Sequence, residues 1–346
     1  MKQGRTDPAA FGIAAGILLF LLFPSAVSDG VRSGLTLCAR VLIPTLFPVS
    51  VLTGCLLRMG VARFAATGLL ARLGRPLGLS GVGMLPFLFG LLGGFPLGAQ
   101  MLAELSRNGS LRREEALRAT VLCNNAGPGF LIGALGSGIL GRPELGAALL
   151  LIQLLSAWTA ALLLRKGAQP CASPSKVSDG KCLPFAQVFF PALETAAGAM
   201  LRLTATVAFF SALIACASRL LPLERLSLPV RSGVTGFLEL SSGAALLSEM
   251  DGASAFVLAA AMTAWGGLCV HAQTLQAFSA AELPSGRYFA AKLLQAVLAG
   301  LLALAVTQFD RVPFLSAGGL LLGFGTIFVF LRLSEKIHWK SEKPVV

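Results

Sequence analysis

Long apolar runs alternate with short basic clusters along this chain, in place of the three- and four-residue alternation of a soluble amphipathic helix. Eight runs, at 9–27, 41–57, 119–140, 143–164, 198–218, 253–275, 288–308 and 312–332, match the roughly 17–25 residues a helix needs to cross a hydrocarbon core. The first, AAFGIAAGILLFLLFPSAV after Lys2 and Arg5, has a cleaved signal peptide ending near Ser25-Ala26 as its alternative. Its apolar run exceeds the about 7–15 residues of a signal core, so it is kept as a span.

Two further apolar stretches are too broken for simple spans. The first, 81–105, is interrupted by Gly93-Gly94-Phe95-Pro96, residues that end a helix. Arg58, Arg63, Arg72 and Arg75 precede it, and Arg107, Arg112, Arg113 and Arg118 follow it. A single crossing would leave one of these clusters outside, against the positive-inside rule, whereas a re-entrant hairpin keeps both in the cytoplasm. The second, 232–250, carries GFLELSSGA (Gly236 to Ala244) at its middle, and counting crossings puts both its ends outside. Most of the 28 basic residues then fall on the cytoplasmic side, among them Arg165, Lys166, Arg287, Lys292, Arg332 and Lys340, and both termini are cytoplasmic.

The same order of parts occurs twice: a span, a broken hairpin, a span with a Gly-interrupted polar centre, and a span. In the first half these are 41–57, the hairpin with GGFPLGAQ (Gly93 to Gln100), 119–140 with CNNAGPG (Cys123 to Gly129), and 143–164. In the second they are 198–218, the GFLELSSGA hairpin, 253–275 with WGGLCVHAQ (Trp265 to Gln273), and 288–308. The halves enter from opposite sides, which defines an inverted-topology repeat. The expected fold is an all-α polytopic membrane protein with about eight transmembrane helices and two re-entrant hairpins. Its parts are an N-terminal helix (1–30), a first repeat (31–165), a cytoplasmic linker (166–184), a second repeat (185–308), and a last helix with a basic tail (309–346).

Composition agrees. The chain is 55% hydrophobic and 13% charged, against about 45–50% and about 25% for soluble domains. The net charge of +12 is spread in clusters between the spans and reads as a topology signal, not a nucleic-acid surface. Of seven cysteines, only Cys171 and Cys182 lie in a polar loop, and no CxxC pair occurs, so neither a zinc site nor a disulfide framework is expected. GALGSG (Gly133 to Gly138) lacks the strand context and spacing of a dinucleotide site, there is no P-loop, and no catalytic set stands out. The chain is read as neither an enzyme nor a cofactor protein.

Interrupted helices at matched positions of inverted halves point to a transporter site near the midplane. Backbone left unpaired there must be buried in protein or line a wet cavity. Glu239 is the carboxylate placed deepest in an apolar stretch, and intramembrane ionisable groups are costly. It is read as a coupling or gating acid, with capping of a hairpin helix as the plainer alternative. Asn124 and Asn125 offer adjacent amides beside Gly127, where the helix should open. Their alternative is interhelical hydrogen bonding, worth about 0.6 kcal/mol on average. His271 and Gln273 follow the matching break, and Gly94, Gln100, Ser241 and Ser242 complete the expected solute site, with Thr45, Thr204 and Thr206 nearby. Helix N-termini at the hairpin tips would favour an anion. Glu114 and Glu115 are expected to pair locally with Arg118.

VLIPTLFPVSVLTG (Val41 to Gly54), GGFPLGAQ, CNNAGPGFLIGALGSGILG (Cys123 to Gly141), the Glu239 to Gly243 stretch and GGLCVHAQ (Gly266 to Gln273) together resemble the sporulation integral membrane protein family of the YlbJ type. That family is similar to nucleoside-recognition Gate-domain proteins and, distantly, to concentrative nucleoside transporters. The chain departs from the family pattern at Gly93-Gly94-Phe95-Pro96, where Ser-Gly-Tyr-Pro would be expected. The resemblance implies an outer forespore membrane location and movement of dipicolinic acid from mother cell toward the forespore. A nucleoside-type solute, or a non-transporting scaffold for spore-envelope assembly, are the alternatives. Partners are then a small solute and the bilayer, with no nucleic acid, and a homo-oligomer by distant analogy.

Overall fold

A computed structural model describes residues 8–59, 68–165, 184–221 and 223–309. Among them every regular element is helical. Helix α1 (Pro8–Leu22) is followed by α2 (Pro24–Leu37), a π-helical turn π1 (Cys38–Leu42) and α3 (Ile43–Arg58). The expected straight span 9–27 is corrected: the chain turns by 99° between Leu22 and Pro24. Phe23 leaves helical geometry (φ −128°, ψ 57°), and Pro24, lacking an N–H, starts a new helix.

Short α4 (Leu69–Gly74) precedes the first hairpin, α5 (Leu85–Gly93) and α6 (Leu97–Arg107), and then α7 (Arg113–Ala119). A buried stretch from Thr120 to Gly127 has no regular helix and leads into a second π segment, π2 (Gly129–Ile139), and α8 (Pro143–Leu164). The second half comprises α9 (Phe185–Leu220), a hairpin of α10 (Leu228–Leu238) and α11 (Leu240–Ala245), then α12 (Gly252–Trp265), α13 (Gly267–Ser279) and α14 (Gly286–Phe309). Asp251 caps α12 by accepting the Ser254 N–H at 3.3 Å, and that bond holds its carboxyl below the usual carboxylate range.

Among the described residues, four helical stretches are long and apolar enough to cross a membrane: Pro143–Leu164, Phe185–Leu220, Gly252–Ser279 and Gly286–Gln308. The bent pair α1 and α2 makes a fifth if counted as one span. The chain is therefore a polytopic membrane protein. The expected spans 41–57 and 119–140 contain shorter apolar helices, Leu46–Leu56 and Gly129–Ile139. The expected span 312–332, the tail and nearly all of the linker lie outside the described residues.

Small residues let the helices close on one another. A Cβ on Gly30 of α2 would stand 2.6 Å from the Ala212 Cα of α9, and one on Gly34 would stand 2.8 Å from the Ala208 Cα. Each hairpin closes the same way. A Cβ on Gly90 of α5 would press on Gly98 of α6 at 3.0 Å, and one on Gly243 of α11 would collide with Gly236 of α10. The two halves meet where α8 packs along α14 and α12. Leu131, Leu135, Ile152, Phe256, Ala259 and Ala303 fill the apolar core there.

Near the first hairpin's ends, Glu115 accepts the Ser80 N–H at 2.6 Å, and Arg118 donates Nε–H to the Gly78 carbonyl at 3.0 Å. These contacts fasten α7 to the loop before the hairpin.

Candidate functional site

Both hairpin tips end against a glycine in a break of the main chain. Gly94 holds φ +72° at the first tip, conformational space that favours glycine. A Cβ on Gly127 would sit 2.9 Å from the Gly94 nitrogen. At the second tip, a Cβ on Gly267 would sit 3.0 Å from the Leu240 nitrogen. Gly266 and Gly267 carry φ +94° and +84°, which separates α12 from α13. A Cβ on Gly266 would meet Phe95 of the first tip at 3.2 Å, so the tips and breaks of both halves converge.

A cleft of about 470 Å3, counted out to where it opens, lies at this convergence. Its walls are mainly apolar, from Leu42, Leu46, Phe95, Phe130, Leu203 and Val207. Its polar lining comes from Glu239, Ser241 and Gln273, with Gly94 and Gly127 exposing backbone. Five expected site residues, Gly94, Gly127, Glu239, Ser241 and Gln273, therefore do line one space.

Glu239 is the residue between α10 and α11. Its backbone is extended (φ −140°, ψ 114°), which frees its carboxylate to fold back over the start of α11. It accepts the Ser241 N–H at 2.9 Å and the Ser242 N–H at 2.6 Å. The carboxylate is thus both a helix cap and a cleft-lining group. The idea that this tip offers free N–H groups to an anion is corrected, because the chain's own carboxylate occupies them.

Asn124, Asn125 and His271 do not line the cleft but belong to a buried polar network beside it. The Asn124 amide donates to Thr274 Oγ1 at 2.6 Å and to the Tyr288 hydroxyl at 3.3 Å. The Asn125 amide donates to the Leu122 carbonyl at 2.8 Å, while its oxygen accepts from Gln295 at 3.1 Å and from Gln153 at 3.4 Å. His271 Nδ1 lies 2.8 Å from the Tyr288 hydroxyl, and its ring sits edge-on to Trp265 at 4.2 Å between centroids. Four polar atoms in this region are buried and unpaired: Asn124 Oδ1, Gln153 Oε1, His271 Nε2 and Gln273 Oε1.

The network centres on Lys292. It was expected among the cytoplasmic basic residues; that is corrected, because it is only 1% exposed. Nζ donates to the Asn124 carbonyl at 2.9 Å and to Gln295 Oε1 at 2.7 Å, and lies 5.7 Å from the Phe95 ring centroid. Lys292, Gln295, Gln153, Thr274 and Tyr288 were not among the candidate residues read from the sequence. A signal existed: Tyr288, Lys292 and Gln295 stand at i, i+4 and i+7 of one apolar span and share a helix face.

The remaining expected residues contribute no side chain to these contacts. Gln100 is half-buried on α6 and Ser242 half-buried on α11. Thr204 and Thr206 turn their hydroxyls to the Met200 and Arg202 carbonyls of their own helix. The Thr45 side chain lies outside what is described. Among the described residues no group of three His, Cys, Asp or Glu side chains is placed to hold a metal ion.

The sequence is similar to that of a curated relative, the sporulation integral membrane protein YlbJ of Bacillus subtilis. The two are 26% identical over 330 residues, covering 83% of this chain and 80% of the relative. That similarity supports the YlbJ-type family. No family model matches the chain, and no solved structure matches it. The similarity to YlbJ runs through most of the chain, so it covers more than the motifs around the cleft.

Proposed function

We propose that this YlbJ-like chain is a membrane transporter for a small anionic or heteroaromatic solute, acting in sporulation and moving dipicolinic acid from mother cell toward forespore. The observation that carries the reading is the meeting of two hairpin tips with two helix breaks around one cleft. Matched breaks of this kind mark substrate sites in transporters built from inverted repeats. The glycine contacts support the repeat: Gly90 faces Gly98 as Gly236 faces Gly243, and each tip abuts a break glycine of its own half. On this reading the hairpins are re-entrant, about eight spans cross the bilayer, and both termini face the cytoplasm in the outer forespore membrane. The name of its relative supports a role in sporulation.

Glu239 is suited to gating. Its carboxylate lines the cleft while holding the first N–H groups of α11, so protonation or a solute that competes for those donors would loosen the second tip. Gln273, with no strong partner for its amide, is suited to direct contact with solute.

Uptake of labelled dipicolinate into liposomes containing the purified protein tests the reading. Saturable uptake suppressed by unlabelled dipicolinate is the expected result. Uptake no greater than in empty liposomes, with the protein monodisperse, would sink it, and suppression of uptake by a nucleoside alone would move the substrate to that class.

A further inference from the structure

We propose that Lys292 is the residue that receives a carboxylate of the solute, and that Phe95 screens it in the conformation seen here. The inference rests on the transport reading and adds to it the residue that meets the charge of a planar aromatic carboxylate.

An anionic solute needs a positive partner, and the cleft lining contains no Lys, Arg or His. The N–H groups at the second tip are held by Glu239, whose own charge opposes an anion. Lys292 is the one buried Lys or Arg among the described residues. It forms no ion pair with a described carboxylate, and both its hydrogen bonds go to neutral acceptors, Asn124 and Gln295. A buried cation without a counter-charge is costly, and in membrane segments such groups mark substrate and ion pathways.

Phe95 connects this cation to the cleft. Its ring lines the cleft and also faces Lys292 Nζ at 5.7 Å, a cation–π arrangement. It sits at the tip of the first hairpin, against Gly266 of the opposite break, so withdrawal of that tip would uncover Nζ to the cleft. A planar solute can then replace one aromatic ring by another over Nζ, and its carboxylate adds the charge that phenylalanine lacks. The Gln273 amide lies in the same wall, 93% buried by the 7% that remains exposed, with its oxygen unpaired and its nitrogen only 3.7 Å from a thiol. Only this weak bond to the Cys269 sulfur would be given up if the amide turned its nitrogen or its oxygen toward the solute.

The test compares pyridine-2,6-dicarboxylate with the neutral, equally shaped pyridine-2,6-dicarboxamide, titrated calorimetrically into full-length protein in detergent. Wild type should prefer the acid by about tenfold or more, as expected for a desolvated charge pair, and Lys292→Met should abolish that preference. Acid preference retained by a folded Lys292→Met protein would overturn the inference while leaving the transport reading intact. Failure of wild type to bind either compound would overturn both. If Lys292→Met does not fold, Phe95→Ala decides: the acid preference should widen, and an unchanged preference would overturn the proposal.

Discussion

Asn124 of the first half donates its amide to the Thr274 hydroxyl of the second at 2.6 Å. This bond crosses 150 positions of sequence and ties the irregular stretch before π2 to α13. Thr274→Val keeps the volume and removes the acceptor. It should lower stability in detergent by about 0.6–1.7 kcal/mol, the range for side-chain bonds between membrane helices. A double-mutant cycle with Asn124→Ala, read from melting temperatures, should show the two losses to be less than additive. Strict additivity would mean that the contact contributes nothing.

The hairpins close through backbone contact. Gly243→Ala places a methyl group against the Gly236 backbone, which has no flexible end to move aside. Strain on this scale costs about 1–3 kcal/mol or more, and the yield of folded protein should fall sharply. Gly233→Ala, on α10, meets only Leu258 at 3.8 Å and should be neutral or slightly stabilising. Equal behaviour of the two variants in a fluorescence-detected size-exclusion assay would argue against close packing of this hairpin.

Glu239 has a capping role that is separable from its charge. Glu239→Gln keeps one of the two oxygens that accept the Ser241 and Ser242 N–H groups and turns an NH2 toward the other, whereas Glu239→Ala leaves both without an acceptor. The alanine variant should lose about 0.5–2 kcal/mol, the usual value of a helix cap, with the glutamine variant closer to wild type. If transport is lost in both while only alanine lowers the melting temperature, the carboxylate acts in transport as well as in folding.

The proposed orientation makes a direct prediction. Asn108, exposed after α6, lies within the second of the two arginine clusters assigned to the cytoplasm. Asn108→Cys should react with an impermeant maleimide only after the cytoplasmic face is opened. The five described cysteines are buried, and Cys171→Ser with Cys182→Ser removes the two thiols of the polar linker from the background. Labelling from the outer face of intact cells would reverse the assignment of the first hairpin.

The backbone of the site was legible because chain breaks leave plain marks in sequence. Gly93-Gly94-Phe95-Pro96 and Trp265-Gly266-Gly267 cannot continue a helix, and both stand at turns around the cleft. The charge in the network was not legible. Lys292 ends the second turn of α14, close enough to Arg287 to look like part of a cytoplasmic flank. Hydropathy averages along the axis, whereas burial is decided around it; the face shared with Tyr288 and Gln295 carries the information. Gln153 was hidden similarly within LLLIQLLSAW. The bend at Phe23 was missed because the run on either side of Pro24 is apolar throughout, and only local backbone geometry separates the two helices.

The polar network also bears on how the molecule comes apart. Lys292 and Gln295 find acceptors on Asn124 and Asn125, and the Asn124 amide finds Thr274, so each half holds the partners that the other needs. Separating the halves in lipid would strand these groups where no water can replace the lost bonds. Neither half therefore has a stable folded state of its own to retreat to, and heating should dismantle the protein in a single cooperative step.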